Sequence, residues 1–118
     1  MQLDIQVSAE GGYAVISPRG EIDLATNAQV KNAIEELLAG GDAHLVVDLS
    51  NVDFIDSTGL GSLIGARRKA HAAGGSFCVV TARERFLKLF RITGLDSVFE
   101  VCASRAEAVD RPVVAYVE

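Results

Sequence analysis

Short apolar runs alternate with helical repeats along this chain, and this alternation constrains the fold more than any other feature. Two almost wholly apolar runs, Leu45–Leu49 and Phe77–Val80, each follow a helical segment, as central strands covered on both faces do. A last short strand is predicted over Val98–Val101. Strands that alternate with helices predict an α/β fold, here with a mixed sheet of four to five strands and helices packed on it.

The N-terminal residues predict an antiparallel hairpin. Apolar and polar residues alternate over Leu3–Val7, Glu10–Gly12 reads as a turn, and a second strand follows over Tyr13–Ser17. Pro18 and Gly20 are expected to end this strand, because proline cannot donate to a ladder and glycine weakens one. The hairpin therefore gives the mixed sheet its antiparallel part.

Apolar residues at three- and four-residue spacing predict four helices. They are placed at Val30–Leu38, Ser57–Ala73, Glu84–Ile92 and, briefly, Ala106–Val109. Gly40–Gly41 and Gly74–Gly75 are expected to end the first two. Ser104 and Glu107 are expected to form a capping box at the start of the last. The apolar tail Val113–Val117 is consistent with either a further strand or an interface segment.

Length and composition predict one domain over residues 1–118. About half of the residues are apolar, 49%, which is enough for a core that needs neither disulfides nor a metal. Cys78 and Cys102 stand among apolar residues without C-x-x-C spacing, so we predict buried free thiols. No cluster, including His44 and His71, has metal-ligand spacing, and we expect neither a metal nor a cofactor.

The charge balance argues against anionic partners. Sixteen acidic and 11 basic side chains give a formal charge of −5, which repels nucleic acid and anionic lipid surfaces. The N-terminus has neither a basic start nor a long apolar run, so a cytoplasmic protein is expected. A local group of cations is interpreted as solvated helix faces: Arg67, Arg68, Lys69, Arg83, Arg85, Lys88 and Arg91.

The chemistry is predicted at the junction Val52–Gly61, where an apolar strand pattern gives way to a helix. Asp56 is a natural N-cap residue, which places Ser57 and Thr58 in the exposed first turn. A helix N-terminus has unpaired N–H groups and the positive end of the macrodipole, so it accommodates a phosphoryl group. Ser57 is therefore a candidate for modification, and an ordinary capped helix start is the alternative.

Two acidic residues are predicted to frame this hydroxyl. If the second and third strands are neighbours, Asp23 and Asp56 approach Ser57 from two sides. A small hydrolase that uses Asp23 and Ser57 is one interpretation, but a nucleophilic serine needs a base and an oxyanion hole. His44 and His71 are both predicted far from the junction. We therefore expect no catalytic residues.

Three blocks of the chain, Gly20–Asp23, Leu45–Ser50 and Val52–Leu60, resemble the STAS domain of bacterial anti-sigma-factor antagonists. The resemblance implies a non-catalytic cytoplasmic switch that binds an anti-sigma factor and so releases the sigma factor. That partner is a serine kinase with its own bound ATP, and a phosphoserine phosphatase reverses the mark. Ser57 then corresponds to the phosphoacceptor and Thr58 is the rival. A STAS scaffold or sensory module with another partner is the alternative.

The small residues of this helix predict a docking surface beside Ser57. A helix has two sides, so Gly61, Ser62 and Gly65 cannot all face the sheet together with Leu60 and Ile64. We expect the outward ones to form a flat surface for the partner. The predicted partner-binding set is Asp23, Asp56, Ser57, Thr58, Gly59, Gly61 and Ser62.

Overall fold

In the computed structural model, which describes residues 3–114, six strands form one mixed sheet. The strands are β1 Leu3–Glu10, β2 Tyr13–Ile22, β3 His44–Asp48, β4 Asn51–Ile55, β5 Ser76–Val80 and β6 Glu100–Cys102. The helices are α1 Asn27–Ala39, α2 Ser57–Ala72, α3 Glu84–Thr93 and α4 Arg105–Asp110. The predicted α/β class is thus confirmed. Val113 and Val114 are exposed outside any strand, and the rest of the Val113–Val117 tail lies outside the described residues.

The sheet has one strand more than the four to five predicted, because the chain turns after β3 and forms β4 as a separate strand. The sheet order is β1-β2-β3-β5-β6, and β4 pairs with the second half of β2. Only β1 and β2 are antiparallel, while the other pairs are parallel. The Asp48 carboxylate accepts the Ser50 N–H at 3.0 Å and so forms the turn between β3 and β4.

The predicted hairpin is confirmed, but Pro18 and Gly20 do not end its second strand. Gly11 and Gly12 have φ of 61° and 86°, as a two-residue primed turn requires. Hydrogen-bonded and non-hydrogen-bonded residue pairs alternate along the hairpin from that turn, and the pair of Pro18 with Ile5 is a non-hydrogen-bonded one. The missing N–H of Pro18 therefore costs no hydrogen bond between β1 and β2. On its other edge β2 pairs with β3 up to Ile16 and with β4 from Arg19. Pro18 falls between the two partners.

The core has two layers, one on each face of the sheet. Helices α1, α2 and α3 cover one face, where Ile16, Val30, Leu63 and Phe86 are almost completely buried. Helix α4 covers part of the other face, over a smaller cluster that includes Tyr13 and Val46. Each of these two apolar clusters lies between the one sheet and the helices that cover that face, which is how α/β domains bury apolar surface.

Helix α4 is tied to the sheet by Arg105. Its guanidinium donates to Asp48 Oδ2 at 2.9 Å, to Glu10 Oε2 at 3.2 Å and to the Ser17 hydroxyl. Ser104 caps the helix as predicted, since its Oγ accepts the Glu107 N–H at 3.1 Å. The carboxylate of Glu107 accepts the N–H of Ala103 rather than that of Ser104, so the capping box is displaced by one residue.

Two boundaries near the C-terminus differ from the prediction. The predicted strand Val98–Val101 is replaced by β6 at Glu100–Cys102, because residues Leu95–Ser97 form a 3-10 turn. This turn continues through the Phe99 N–H, which donates to the Leu95 carbonyl at 2.7 Å.

No helix within residues 3–114 combines the length and the apolar character that crossing a membrane requires.

The two thiols are free and buried, which confirms that prediction. Cys78 Sγ lies 3.3 Å from Cys102 Sγ beneath α4. Burial, followed by the hydrogen bond with Cys102, raises the pKa of Cys78 to about 12. A thiol with such a pKa stays protonated and unreactive at neutral pH.

We expect Cys78 to resist modification in the native protein. At pH 8 its thiolate fraction is roughly a thousandfold below that of a thiol with the ordinary pKa, and burial blocks access as well. An Ellman titration will therefore detect two thiols in urea and only slow reaction without it. Fast labelling of Cys78 in the folded chain, located by peptide mass spectrometry, would contradict the buried placement.

Candidate functional site

The carboxyl ends of β2 and β4 lie side by side and bring two loops together. Ile22 and Ile55 are register partners at the ends of these parallel strands. The Asp56 N–H then donates to the Ile22 carbonyl at 3.2 Å, which extends the contact to the first residue after β4. The loop that follows β2 therefore lies next to the start of α2. The two acidic loops thus meet, as predicted. The strand that brings them together is β4, which pairs with the end of β2, whereas β3 pairs with the first half of β2.

Asp56 holds both loops with one carboxylate. Its Oδ1 accepts the Gly59 N–H at 2.8 Å, which confirms it as the N-cap of α2. Its Oδ2 accepts the Leu24 N–H at 3.1 Å, from the loop after β2. Both oxygens are thus bound to backbone donors. Asp56 positions the start of α2 relative to that loop.

Asp23 has a similar structural task within its own loop. Its Oδ1 accepts the N–H groups of Ala25 and Thr26, each at 3.0 Å. The Thr26 hydroxyl, buried below, donates to the Glu21 carbonyl at 2.7 Å and accepts the Asp23 N–H at 3.0 Å. The loop is consequently fixed by its own side chains.

Ser57 is exposed as the first residue of α2, and Thr58 after it is half-buried. The Ser57 hydroxyl stands at the positive end of the helix, where a phosphoryl group is electrostatically tolerated. His44 begins β3 and so lies at the opposite edge of the sheet, while His71 is in the last turn of α2. The geometry therefore offers an accessible acceptor hydroxyl, whereas the two nearby carboxylates are engaged with backbone N–H groups.

The small residues of α2 divide between the two sides of the helix, as the sequence predicts. Ser62, although it is in the predicted partner-binding set, is buried, with 8% of it exposed. Its Oγ accepts from the Asn27 amide and donates to the Thr58 carbonyl, both at 3.3 Å. Gly59 is also buried, and a Cβ on it would lie 2.6 Å from the Ile22 carbonyl oxygen. Gly61 is exposed with open space around it.

A shallow groove of about 310 Å³ runs between α1 and α2 from the Ser57 end. Lys69 closes it with an ion pair to Glu35 at 2.7 Å, and this contact lowers the pKa of the Glu35 carboxyl. The groove is lined by polar and small side chains together. Residues that line it include Asn27, Lys31, Thr58, Gly61, Ser62 and Gly65.

Two arginines that were interpreted as solvated bind the outer edge of β4. Arg83 donates to the Val52 carbonyl at 2.6 Å and to the Ser50 carbonyl at 2.8 Å. Arg85, although exposed, donates to the Asp53 carbonyl. They satisfy backbone acceptors of a strand that has a partner only on the side of β2. The sequence carries no signal for these contacts, because they depend on how α3 packs against β4.

Comparison with known proteins agrees with this fold. A family model described as STAS domain matches residues 4–108. The anti-sigma-F factor antagonist of Mycobacterium tuberculosis is 33% identical over 107 residues, covering 91% of this chain and 87% of the relative. The anti-sigma-B factor antagonist of Staphylococcus aureus is 27% identical over 101 residues, covering 86% and 94%. The crystal structure of an anti-sigma factor antagonist from Mycobacterium paratuberculosis superposes with a TM-score of 0.83 at 30% identity, covering 92% of each chain.

Two glycine substitutions in α2 should have opposite effects on stability. Gly61→Ala gains helix propensity in open space, so we expect stabilisation by about 0.5–1 kcal/mol. Gly59→Ala forces the helix away from the Ile22 carbonyl, so we expect destabilisation by about 1–3 kcal/mol. Urea unfolding followed by circular dichroism measures both. Equal effects of the two substitutions would contradict the orientation of α2 described above.

Proposed function

This chain belongs to the STAS domain family, and on that premise we propose that it is an anti-sigma factor antagonist acting in the cytoplasm. In its unphosphorylated form it binds an anti-sigma factor, and the sigma factor is released. The observation that carries this proposal is an exposed hydroxyl, Ser57, at the start of a helix whose cap also fixes the neighbouring loop. A surface that is rigid before binding loses little conformational entropy on association.

Phosphorylation of Ser57 is the proposed control. The anti-sigma factor is a serine kinase that uses its own bound ATP, and a phosphoserine phosphatase restores the active form. Ser57 is the more accessible hydroxyl, since Thr58 is half-buried. Thr58 is the alternative acceptor, and its position in the same first turn makes the two distinguishable only by mapping the phosphate.

The effect of the phosphate is electrostatic rather than conformational. A phosphoserine adds roughly −1.5 to −2 charge, and the N-terminus of α2 tolerates it locally. The Asp23 and Asp56 carboxylates in the adjoining loop and cap already make this edge acidic. A partner surface that accommodates a neutral hydroxyl there meets repulsion and uncompensated desolvation of on the order of a few kcal/mol, or at least a hundredfold in affinity.

The predicted partner-binding residues have two kinds of role in this proposal. Ser57, Thr58 and Gly61 are accessible enough to touch the partner directly. Asp23, Asp56, Gly59 and Ser62 support that surface through the hydrogen bonds and the close packing already described. None of these residues is assigned a catalytic role.

Phosphate mapping tests the switch. Incubation of the chain with ATP and each anti-sigma factor kinase of its source organism is expected to place phosphate on Ser57, located by peptide mass spectrometry. Ser57→Asp should weaken binding of that kinase at least about a hundredfold, since it mimics part of the added charge. Thr58→Val is the matched control and should still be phosphorylated. An unmodified chain, or phosphate at neither Ser57 nor Thr58, would favour a STAS scaffold with another partner.

Substitution on α2 tests the docking surface. Gly61→Arg adds a long charged side chain to the exposed side of the helix and should weaken kinase binding by roughly tenfold or more. Ala72→Arg, at the exposed end of the same helix, is the control and should bind as the wild type does. Ala72→Arg should unfold within about 0.5 kcal/mol of the wild type, whereas Gly61→Arg should be as stable as the wild type or more stable by up to about 1 kcal/mol, since arginine favours a helix more than glycine does. Loss of stability in Gly61→Arg alone would mean that this side is packed.

A further inference from the structure

We infer that Leu24 is the apolar anchor of the partner interface, a role that rests on the proposed function. Its side chain is 77% exposed, the highest value among the large apolar residues in the described part of the chain. Its N–H donates to Asp56, the cap of the helix that begins with Ser57. A large apolar side chain is therefore presented in the loop attached to the modification site. Neither the sequence pattern nor the family resemblance singled it out.

The loop that carries Leu24 is unusually well fixed for a surface segment. Asp23 accepts the N–H groups of Ala25 and Thr26 on one side of Leu24. The Asp23 carbonyl also accepts the Asn27 N–H at 2.9 Å, so the loop leads directly into α1. Thr26, 1% exposed, anchors it to the Glu21 carbonyl. An exposed apolar side chain on a rigid support buries its surface in a partner pocket at little cost in conformational entropy, because the loop is already ordered.

Charge around Leu24 indicates the chemistry of its occupant. The flanking Asp23 and the contacting Asp56 both bear carboxylates, and each accepts hydrogen bonds from backbone N–H groups of this loop. A pocket that accepts the leucine must therefore tolerate two nearby negative charges. The geometry fits an apolar pocket on the anti-sigma factor whose rim carries lysine or arginine.

A second exposed apolar site offers a matched comparison. Ile92 on α3 is 73% exposed, nearly the same as Leu24, and lines a cleft with Phe54. Its neighbours there include Arg85 and Lys88, so the surrounding charge is opposite. A partner whose pocket has a basic rim is attracted by the carboxylates near Leu24. The same partner is repelled by the cations around the Ile92 cleft.

The test compares Leu24→Ala with Ile92→Ala, using the anti-sigma factor that phosphorylates Ser57 in the mapping experiment. Leu24→Ala should weaken its binding to the unphosphorylated chain by roughly 10- to 100-fold, and Ile92→Ala by less than about twofold. Leu24→Met keeps an apolar side chain and should bind within about threefold of the wild type. Both alanine variants lose exposed side chains, so circular dichroism and urea midpoints should match the wild type. Binding of the wild type should also weaken as salt rises.

The possible results distinguish failure of the Leu24 anchor from failure of the antagonist function. Wild-type binding with unchanged Leu24→Ala affinity overturns the anchor and leaves the antagonist function standing. Loss of binding in Ile92→Ala but not in Leu24→Ala places the partner on α3 and also overturns it. If no anti-sigma factor binds the unmodified wild type, the proposed function fails, and the anchor fails with it.

Discussion

The structure of the site depends on one carboxylate. Asp56 Oδ1 accepts the Gly59 N–H and Asp56 Oδ2 accepts the Leu24 N–H. The first bond satisfies a donor that α2 leaves open at its start, and the second fixes the loop after β2 against that start. Because the same side chain makes both bonds, the helix and the loop keep a defined relative position. Ser57, the next residue, therefore projects from a surface composed of two segments distant in sequence.

The way β2 is shared by two partners makes this meeting possible. Its first half pairs with β3 and its second half with β4, and a register shift between Gly20 and Glu21 separates the last two residue pairs with β4 from the first two. Gly20, with φ of 120°, adopts a conformation that other residues avoid. Arg83 then binds the Val52 carbonyl of β4 and the Ser50 carbonyl of the turn before it. The strand that delivers Asp56 and Ser57 is thus held from both sides.

Local chemistry made much of this predictable from the sequence. The Asp56 cap, the hairpin turn and the Ser104 cap each follow from a residue whose side chain or backbone acts within four positions. What escaped prediction depends on distant partners. The burial of Ser62 follows from Asn27 on another helix, and the role of Arg83 follows from the packing of α3. The apolar pattern before Ser57 was recognised, but β4 was not counted as a strand separate from β3, because only two residues lie between the two strands.

Rigidity and charge together support the proposal that this site switches its binding without refolding. The carboxylates of Asp56 and Asp23 already bind the backbone of the helix start and of the neighbouring loop, so a phosphate on Ser57 would stand at the N-terminus of a helix whose position is fixed. Locally the added charge is offset by the helix dipole, whereas a partner surface meets it together with the carboxylates of Asp23 and Asp56. The same charge is therefore tolerated within the fold and unfavourable across an interface. The proposed switch would therefore change the binding state of the domain while its own structure stays constant.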